Sequence, residues 1–137
     1  MAIGLSVSAQ KADANMANAA NPSTSIAQKA TIEWVKLYDL SGEQVKEALN
    51  IQQAKYRNFA DIESLKASNL TFYVQKRIAA LEIAEGELRL LLDETQQRKY
   101  VQQQVYRAGQ LEQITMGLKK QGYADNEINK KLAEIDF

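Results

Sequence analysis

The chain has no cysteine and no histidine among its 137 residues. The lack of cysteine excludes disulfide bonds, thiol catalysis, thiolate metal sites and a lipid anchor on cysteine. The lack of histidine removes the commonest general base and the commonest transition-metal ligand. We therefore exclude zinc enzymes, Ser-His-Asp hydrolases and cysteine proteases, and we expect no catalytic residue, no cofactor and no bound metal. An enzyme of this sequence would have to work with tyrosine, lysine or carboxylate groups alone.

Charge imbalance and long apolar runs are also lacking. The 17 basic and 17 acidic residues give a formal net charge of zero, so no overall field attracts nucleic acid, and we expect no nucleic-acid partner. No apolar run reaches the roughly 18–20 residues that a membrane-spanning helix needs, so we expect no transmembrane segment. The one proline is Pro22, and no long alternation of β-branched residues follows it, which favours helices throughout.

Composition divides the chain into four parts. Residues 1–9 are small and apolar and end in an acceptable cleavage site, which predicts the remnant of a signal peptide, although the usual basic region is missing. A disordered leader without a role is the alternative. Residues 10–24 are rich in alanine, asparagine and serine and predict a flexible linker. Residues 25–121 predict a helical domain, and residues 122–137 a turn with a short helix.

Apolar spacing predicts an all-α fold of four to five helices, over 25–38, 42–66, 70–91, 94–121 and 125–135. Short connections favour antiparallel neighbours, in a helical hairpin or bundle. Residues 42–91 are compatible with one long bent helix or with two helices in a hairpin, which we favour. Gly122 is expected to end the fourth helix. Gly86 and Gly109 lie inside helices, where they predict either a close helix–helix approach or a bend.

Two short stretches share one pattern, Leu40-Ser41-Gly42-Glu43-Gln44 and Leu92-Asp93-Glu94-Thr95-Gln96. Ser41 and Asp93 are helix-capping residues that accept a hydrogen bond from the first turn of the helix. Gln44 and Gln96 lie three residues further on and can each reach back to the N–H of the cap, which completes a capping box. The pattern therefore predicts two helix starts.

This pair of stretches resembles the twin Leu-Thr-x-x-Gln motifs of the Spy/CpxP family of envelope-stress proteins, with Ser41 and Asp93 in place of the usual threonines. The resemblance covers roughly residues 35–110. It implies a helical hairpin that dimerises into a thin, curved cradle, and a periplasmic or secreted protein. Some members are chaperones for unfolded clients, some inhibit a stress sensor kinase, and some bind zinc.

Two properties of the chain limit what the resemblance implies about activity. The zinc-binding members would require histidine or cysteine ligands, which this chain lacks. The strongly basic concave face of the chaperone members is not expected in a neutral chain. Only Leu40, Ser41, Gln44, Leu92, Asp93 and Gln96 match the family motif, and they are structural positions.

Aromatic residues supply a candidate surface for a protein partner, because tyrosine and tryptophan combine contact area with a polar group. The candidates are Tyr56, Phe59, Phe72, Tyr73, Tyr100 and Tyr106. The alternative is that they pack in the core. We interpret the sequence as an exported, non-enzymatic helical protein, either an ATP-independent chaperone or an envelope-stress adaptor, that binds protein partners or unfolded clients. A homodimer is compatible with this interpretation. The alternative function is a structural or regulatory module with one fixed partner and no client binding.

Overall fold

Helices account for almost all of the chain that the structure describes. The computed structural model describes residues 22–135, in which six helices follow one another: α1 (Pro22–Tyr38), α2 (Gly42–Ile62), α3 (Leu65–Ser68), α4 (Leu70–Leu91), α5 (Glu94–Lys120) and α6 (Asp125–Ala133). These residues include no β-strand, and the predicted all-α fold is confirmed. The expected signal-peptide remnant at 1–9 and most of the expected linker lie outside the described residues.

Two helix boundaries differ from the prediction by three residues or more, while the last two helices end one and two residues early, at Lys120 and Ala133. Helix α1 begins at Pro22, earlier than the predicted residue 25, because the first turn of a helix tolerates a residue without an N–H donor. The helix predicted over 42–66 ends at Ile62 and resumes as α3. The backbone tightens between them, since the Glu63 N–H donates to the Ala60 carbonyl at 3.3 Å, one residue short of the α-helical partner.

The chain reverses direction at Asn69, which caps the N-terminus of α4 through its side chain. Helices α2 and α4 then run antiparallel. At one end the Gln44 side chain donates to the Leu91 carbonyl at 2.8 Å. At the other end the Arg77 guanidinium lies 4.0 Å from the centre of the Phe59 ring. The hairpin that we favoured for residues 42–91 is therefore correct.

The core lies between α1, α2 and α4 and takes in the start of α5. Its buried members are Trp34, Tyr38, Leu40, Val45, Ala48, Ile51, Ala84, Leu88, Leu92 and Tyr100. Val45, Ala48 and Ile51 recur every three residues, so they share one face of α2. Each large side chain buried in this way stabilises the fold by about 1.5–3 kcal/mol.

Helices α1 and α2 form a first hairpin, and α4 and α5, joined by a short connection, form a second, more open one, so that the two tips lie side by side. The main packing between the hairpins is that of α4 on α2. Helix α5 also packs on α1, where the Tyr38 and Tyr100 rings lie 5.9 Å apart. No described residue of α5 is buried after Arg107, so the second half of α5 extends away from the core.

Gly122 ends α5 and turns the chain back toward the bundle. Its φ of 90° lies in the left-handed region that favours glycine. The Gly122 N–H donates to the Lys119 carbonyl at 3.0 Å and the Tyr123 N–H to the Leu118 carbonyl at 3.2 Å, which is the Schellman pattern. The predicted helix end at Gly122 is confirmed, and α6 folds back to bury Ile128.

Candidate functional site

The two repeated stretches each begin a helix with a capping box. In the first, the Ser41 N–H donates to Gln44 Oε1 at 2.9 Å, and the Gln44 N–H donates to Ser41 Oγ at 3.4 Å. In the second, the Asp93 N–H donates to Gln96 Oε1 at 2.9 Å, and the Gln96 N–H donates to Asp93 Oδ1 at 2.8 Å. Both boxes have the residues and partners that the sequence predicts.

The two glutamines also bind each other, which the sequence did not predict. The amide nitrogens and oxygens of Gln44 and Gln96 are paired reciprocally, at 2.8 Å and 2.7 Å. Each Nε2 donates a second bond across to the opposite hairpin tip, from Gln44 to the Leu91 carbonyl at 2.8 Å and from Gln96 to the Asp39 carbonyl at 3.0 Å. We call this set of bonds the glutamine clasp. Its two halves are equivalent, so the tips are related by an approximate twofold axis.

The leucines of the two stretches lie beneath the glutamine clasp. Leu40 and Leu92 are both buried in the core cluster, and Val45 lies in the same cluster as Leu40. The second stretch has Gln97 in place of a valine, and its Nε2 donates to the Leu92 carbonyl at 3.2 Å. Gln44 and Gln96 therefore join the hairpin tips, with Leu40 and Leu92 buried beneath them, whereas Ser41 and Asp93 are exposed caps of their own helices. Gln96 is only 6% exposed. This junction positions the helices; it is not an open binding site.

The six aromatic candidates do not form one exposed surface. Phe59, Tyr73 and Tyr100 are buried, whereas Phe72 and Tyr106 are exposed. Phe59 is held by an edge-on contact with Tyr56, with ring centres 5.6 Å apart. Tyr73 and Phe72 differ although they are neighbours, because successive residues of a helix point about 100° apart. For the three buried residues, the alternative interpretation as core packing agrees with the structure.

A polar cluster links α4 and α5 at the edge of the bundle, where the Glu85 side chain is 38% exposed. Arg107 Nη1 pairs with Glu85 Oε1 at 3.0 Å, and the Tyr100 hydroxyl donates to Glu85 Oε2 at 3.5 Å. Burial raises the pKa of Tyr38 and also the pKa of Tyr100, to which the Glu85 carboxylate adds. Both phenols therefore stay protonated at neutral pH, where they can donate hydrogen bonds but do not act as phenolate bases.

An exposed apolar stripe runs along the outer face of α4. It consists of Phe72, Ala79, Ile83, Gly86 and Leu90, whose spacings of three, four and seven residues place them on one side of the helix. We call it the outer stripe. Leu90 is 90% exposed and Ile83 is 57% exposed. Lys76 and Glu87 interrupt the stripe on the same face. Single exposed apolar residues are common, but several on one face of a helix indicate a candidate contact surface.

Gly86 lies in the middle of the outer stripe and faces open space. A Cβ atom at this position would meet no other atom within 4 Å, and the same holds for Gly109. The predicted close approach of helices at these glycines is therefore not found within the described residues. The outer stripe itself was missed because α4 carries apolar residues on all sides, a pattern typical of a fully buried helix, and the sequence does not tell which side stays open.

Within residues 22–135, no three acidic residues come together as a metal-binding group. None of the helices in this range is both long and apolar enough to span a lipid bilayer.

Comparison of the chain with protein-family models, with curated proteins and with solved structures finds no match. The resemblance to the Spy/CpxP family rests on the two motif stretches and stays a prediction.

Proposed function

We propose that this chain is an exported, non-enzymatic helical protein that binds protein partners through the outer stripe of α4. The activity that fits best is that of an ATP-independent chaperone or an envelope-stress adaptor, in the periplasm or outside the cell. The observation that carries the proposal is the row of large apolar side chains that α4 presents to solvent, above all Ile83 and Leu90.

The energetics of the outer stripe suit reversible binding. Burying a leucine or isoleucine side chain against a partner contributes about 1.5–3 kcal/mol. Ile83 and Leu90 together therefore supply about 3–6 kcal/mol, before the cost of association is subtracted. Contacts of this size favour weak binding to many apolar segments, as a chaperone requires. Because the formal net charge is zero, we expect such binding to depend little on salt.

The glutamine clasp supports the same proposal by keeping α4 in place. It fixes the end of α4 at Leu91 to the first hairpin, one residue beyond Leu90. A side chain on a rigid helix loses less conformational freedom on binding than one on a flexible loop. The resemblance of the two motifs to the Spy/CpxP family is the basis for the proposed compartment and for the chaperone class.

A structural or regulatory module with one fixed partner is the second candidate, and Gly86 favours it. A glycine without steric neighbours, between Ile83 and Leu90, lets the backbone of a partner helix approach closely. Close backbone approach is typical of a specific helix–helix interface rather than of client binding. A second copy of this chain is one such partner, and the homodimer in a curved cradle belongs to this part of the proposal.

Aggregation assays followed by light scattering, without ATP, test the proposal and separate the two candidates. Several unrelated unfolding proteins serve as clients, and the chain is added at near-stoichiometric ratio. The double variant Ile83→Gln/Leu90→Gln removes the outer stripe. Its matched control is Val101→Gln/Val105→Gln, which removes a similarly exposed pair on α5.

We expect the wild-type chain and the α5 control to suppress scattering, and the outer-stripe variant to lose suppression. Suppression that survives in the outer-stripe variant would contradict the proposed surface. No suppression by the wild-type chain would exclude the chaperone and favour the fixed-partner module. Light scattering after size exclusion then gives the solution mass. If the wild-type chain is a dimer and the Ile83→Gln/Leu90→Gln variant is a monomer, the partner is a second copy of this chain.

A further inference from the structure

Helix α6 rests on the rest of the chain through one buried side chain. Ile128 is 2% exposed, and it is the only residue of α6 that is buried. Leu132 and Ile135 are half-buried on the same side, and Ile135 borders a cleft between α4 and α5. Ile128 and Leu132 lie four residues apart on one face of α6, and Ile135 follows just beyond its end, so α6 is amphipathic.

Arg77 on α4 binds the end of α6. Its Nε donates to the Ala133 carbonyl at 2.7 Å, and its Nη2 donates to the Glu134 carbonyl at 3.4 Å. The last carbonyls of a helix have no partner within the helix and attract a cation. The guanidinium stacks on the Phe59 ring at 4.0 Å, so Arg77 is already oriented by the bundle and not by α6 alone.

A second cationic side chain binds the same end of α6. Lys66 Nζ on α3 pairs with Glu134 Oε1 at 3.0 Å. Hydrogen bonding to Glu134, together with the charge of this carboxylate, raises the pKa of Lys66. The pair is exposed to solvent, so its strength is modest. It nevertheless favours a helix that carries a negative charge at its C-terminal end.

Helix α6 is weakly built in itself. It has nine residues, and helices shorter than about 12–15 residues are marginal in water without tertiary contacts. Its N-cap is Ala124, whose side chain cannot accept a hydrogen bond; only the reverse bond exists, from the Ala124 N–H to Glu127 Oε2 at 3.4 Å. Helix α6 therefore depends on the surface beneath it, and local opening of such an element costs far less than global unfolding.

The surface that α6 covers continues into an open cleft between α4 and α5. This cleft has a volume of about 270 Å³ beside Ile135, and its lining is partly apolar (Ile78, Leu81, Leu111) and partly polar (Glu82, Glu85, Gln104, Arg107). A volume of this size accommodates further apolar side-chain atoms. A helix longer than α6 could therefore extend its contacts past Ile135 into this cleft.

We propose that α6 is a displaceable internal ligand, and that the surface beneath it binds an amphipathic helix of a protein partner in its place. We call this surface, formed by Phe59, Lys66, Arg77, Ile78, Leu81 and Leu111, the α6 site. The partner helix carries apolar residues at positions i, i+4 and i+7 and a carboxylate near its C-terminal end. The inference rests on the proposed function only in requiring that the chain binds proteins.

A peptide with the sequence of residues 124–135, carrying a fluorescent label, is the probe for the α6 site. The full chain with Ile128→Asp releases its own α6 and leaves the α6 site unchanged. Fluorescence anisotropy should then show the peptide binding about tenfold tighter than to the wild-type chain, in which α6 occupies the site most of the time. The matched control is Asn129→Asp, an exposed neighbour with the same change of charge, which should behave as wild type.

Two further variants show whether binding uses the α6 site. A peptide carrying Ile128→Asp should not bind, and adding Arg77→Gln to the Ile128→Asp chain should weaken the normal peptide about tenfold, because Arg77 binds the end of the helix. Equal affinity of the peptide for the wild-type and Ile128→Asp chains would overturn the inference. So would an affinity that Arg77→Gln leaves unchanged.

Hydrogen exchange on the unmodified chain tests the inference without any variant. We expect the amides of α6 to exchange through local opening, faster than those of α4, and faster still when excess unlabelled peptide displaces α6. Exchange of α6 only by global unfolding would overturn the inference. If α6 is not displaced but Ile83→Gln/Leu90→Gln still abolishes client suppression, the inference about α6 fails and the proposed function stands. The two failures are therefore distinguishable.

Discussion

Replacing Gln44 by glutamate separates the two roles of this side chain. As a capping residue, glutamate is equivalent to glutamine, because both accept the hydrogen bond from the Ser41 N–H. In the glutamine clasp, glutamate cannot take the place of glutamine, because an ionised carboxylate has no hydrogen-bond donor. It cannot replace the bonds from Nε2 to the Leu91 carbonyl and to Gln96 Oε1, both at 2.8 Å.

The expected loss follows from these two bonds. Each hydrogen bond contributes about 0.5–1.5 kcal/mol net, and an acceptor left unpaired in a buried place costs about 1–3 kcal/mol. The new carboxylate also faces two oxygen atoms at close range. We therefore expect Gln44→Glu to lower the free energy of unfolding by about 3 kcal/mol at pH 7. Acidification protonates the new carboxyl and restores one donor, so part of the loss should disappear at low pH.

Urea unfolding followed by circular dichroism, with Trp34 fluorescence as a second probe, measures this loss. The control is Gln102→Glu, which makes the same change at an exposed position of α5 and should stay within about 0.5 kcal/mol of wild type. A Gln44→Glu chain as stable as this control would refute the reasoning. In that case the stretches act as independent caps, and the clasp does not join the two hairpins energetically.

Two other sets of variants test local features of the fold. Gly86→Ala should raise the free energy of unfolding by about 0.5–1 kcal/mol, because the site is helical and open. Gly122→Ala should lower it by about 1 kcal/mol, because the φ of Gly122 is positive. Thermal melts that shift in the same direction for both variants would contradict this. The buried Tyr38 hydroxyl has no hydrogen-bond partner among the described residues, so Tyr38→Phe should stabilise the chain by about 1 kcal/mol, whereas Tyr100→Phe, which loses a weak bond, should not. Because burial raises the pKa of Tyr38, the folded chain keeps the phenol proton to higher pH than the unfolded chain. The stability linked to this proton is therefore fully present below about pH 10 and is lost as the pH rises through the folded pKa. Stability measured from pH 8 to 12 should therefore fall less steeply in Tyr38→Phe than in wild type, and equal slopes would count against this account.

The helix limits that the sequence predicts correctly are those set by local chemistry. Asn69, Asp93 and Gly122 each act within one turn of the backbone, so their effect is visible in a short stretch of sequence. The starts of α4 and α5 agree with the prediction for this reason. The split at Ile62 was not predicted, because no proline, glycine or capping side chain marks it.

The long-range features depend on which helix faces are covered, and the sequence does not determine that. Phe72 and Tyr73 have the same character and adjacent positions, but only Tyr73 is buried. The pairing of Gln44 with Gln96 requires the two tips to meet, and neither stretch alone indicates it. The role of Arg77 at the end of α6 was missed because a single arginine on a helix carries no pattern.

The separation along the chain of the two clasp glutamines has a consequence for the order of folding. They lie 52 residues apart, whereas the contacts of Glu85 with Tyr100 and Arg107 in the second hairpin join residues 15 and 22 apart. Contacts between distant residues form only after the entropy of closing a long loop has been lost. The hairpins should therefore form first and the clasp after the rate-limiting step. Weakening it should then speed unfolding and leave the folding rate nearly unchanged, so the clasp sets how long the native state persists.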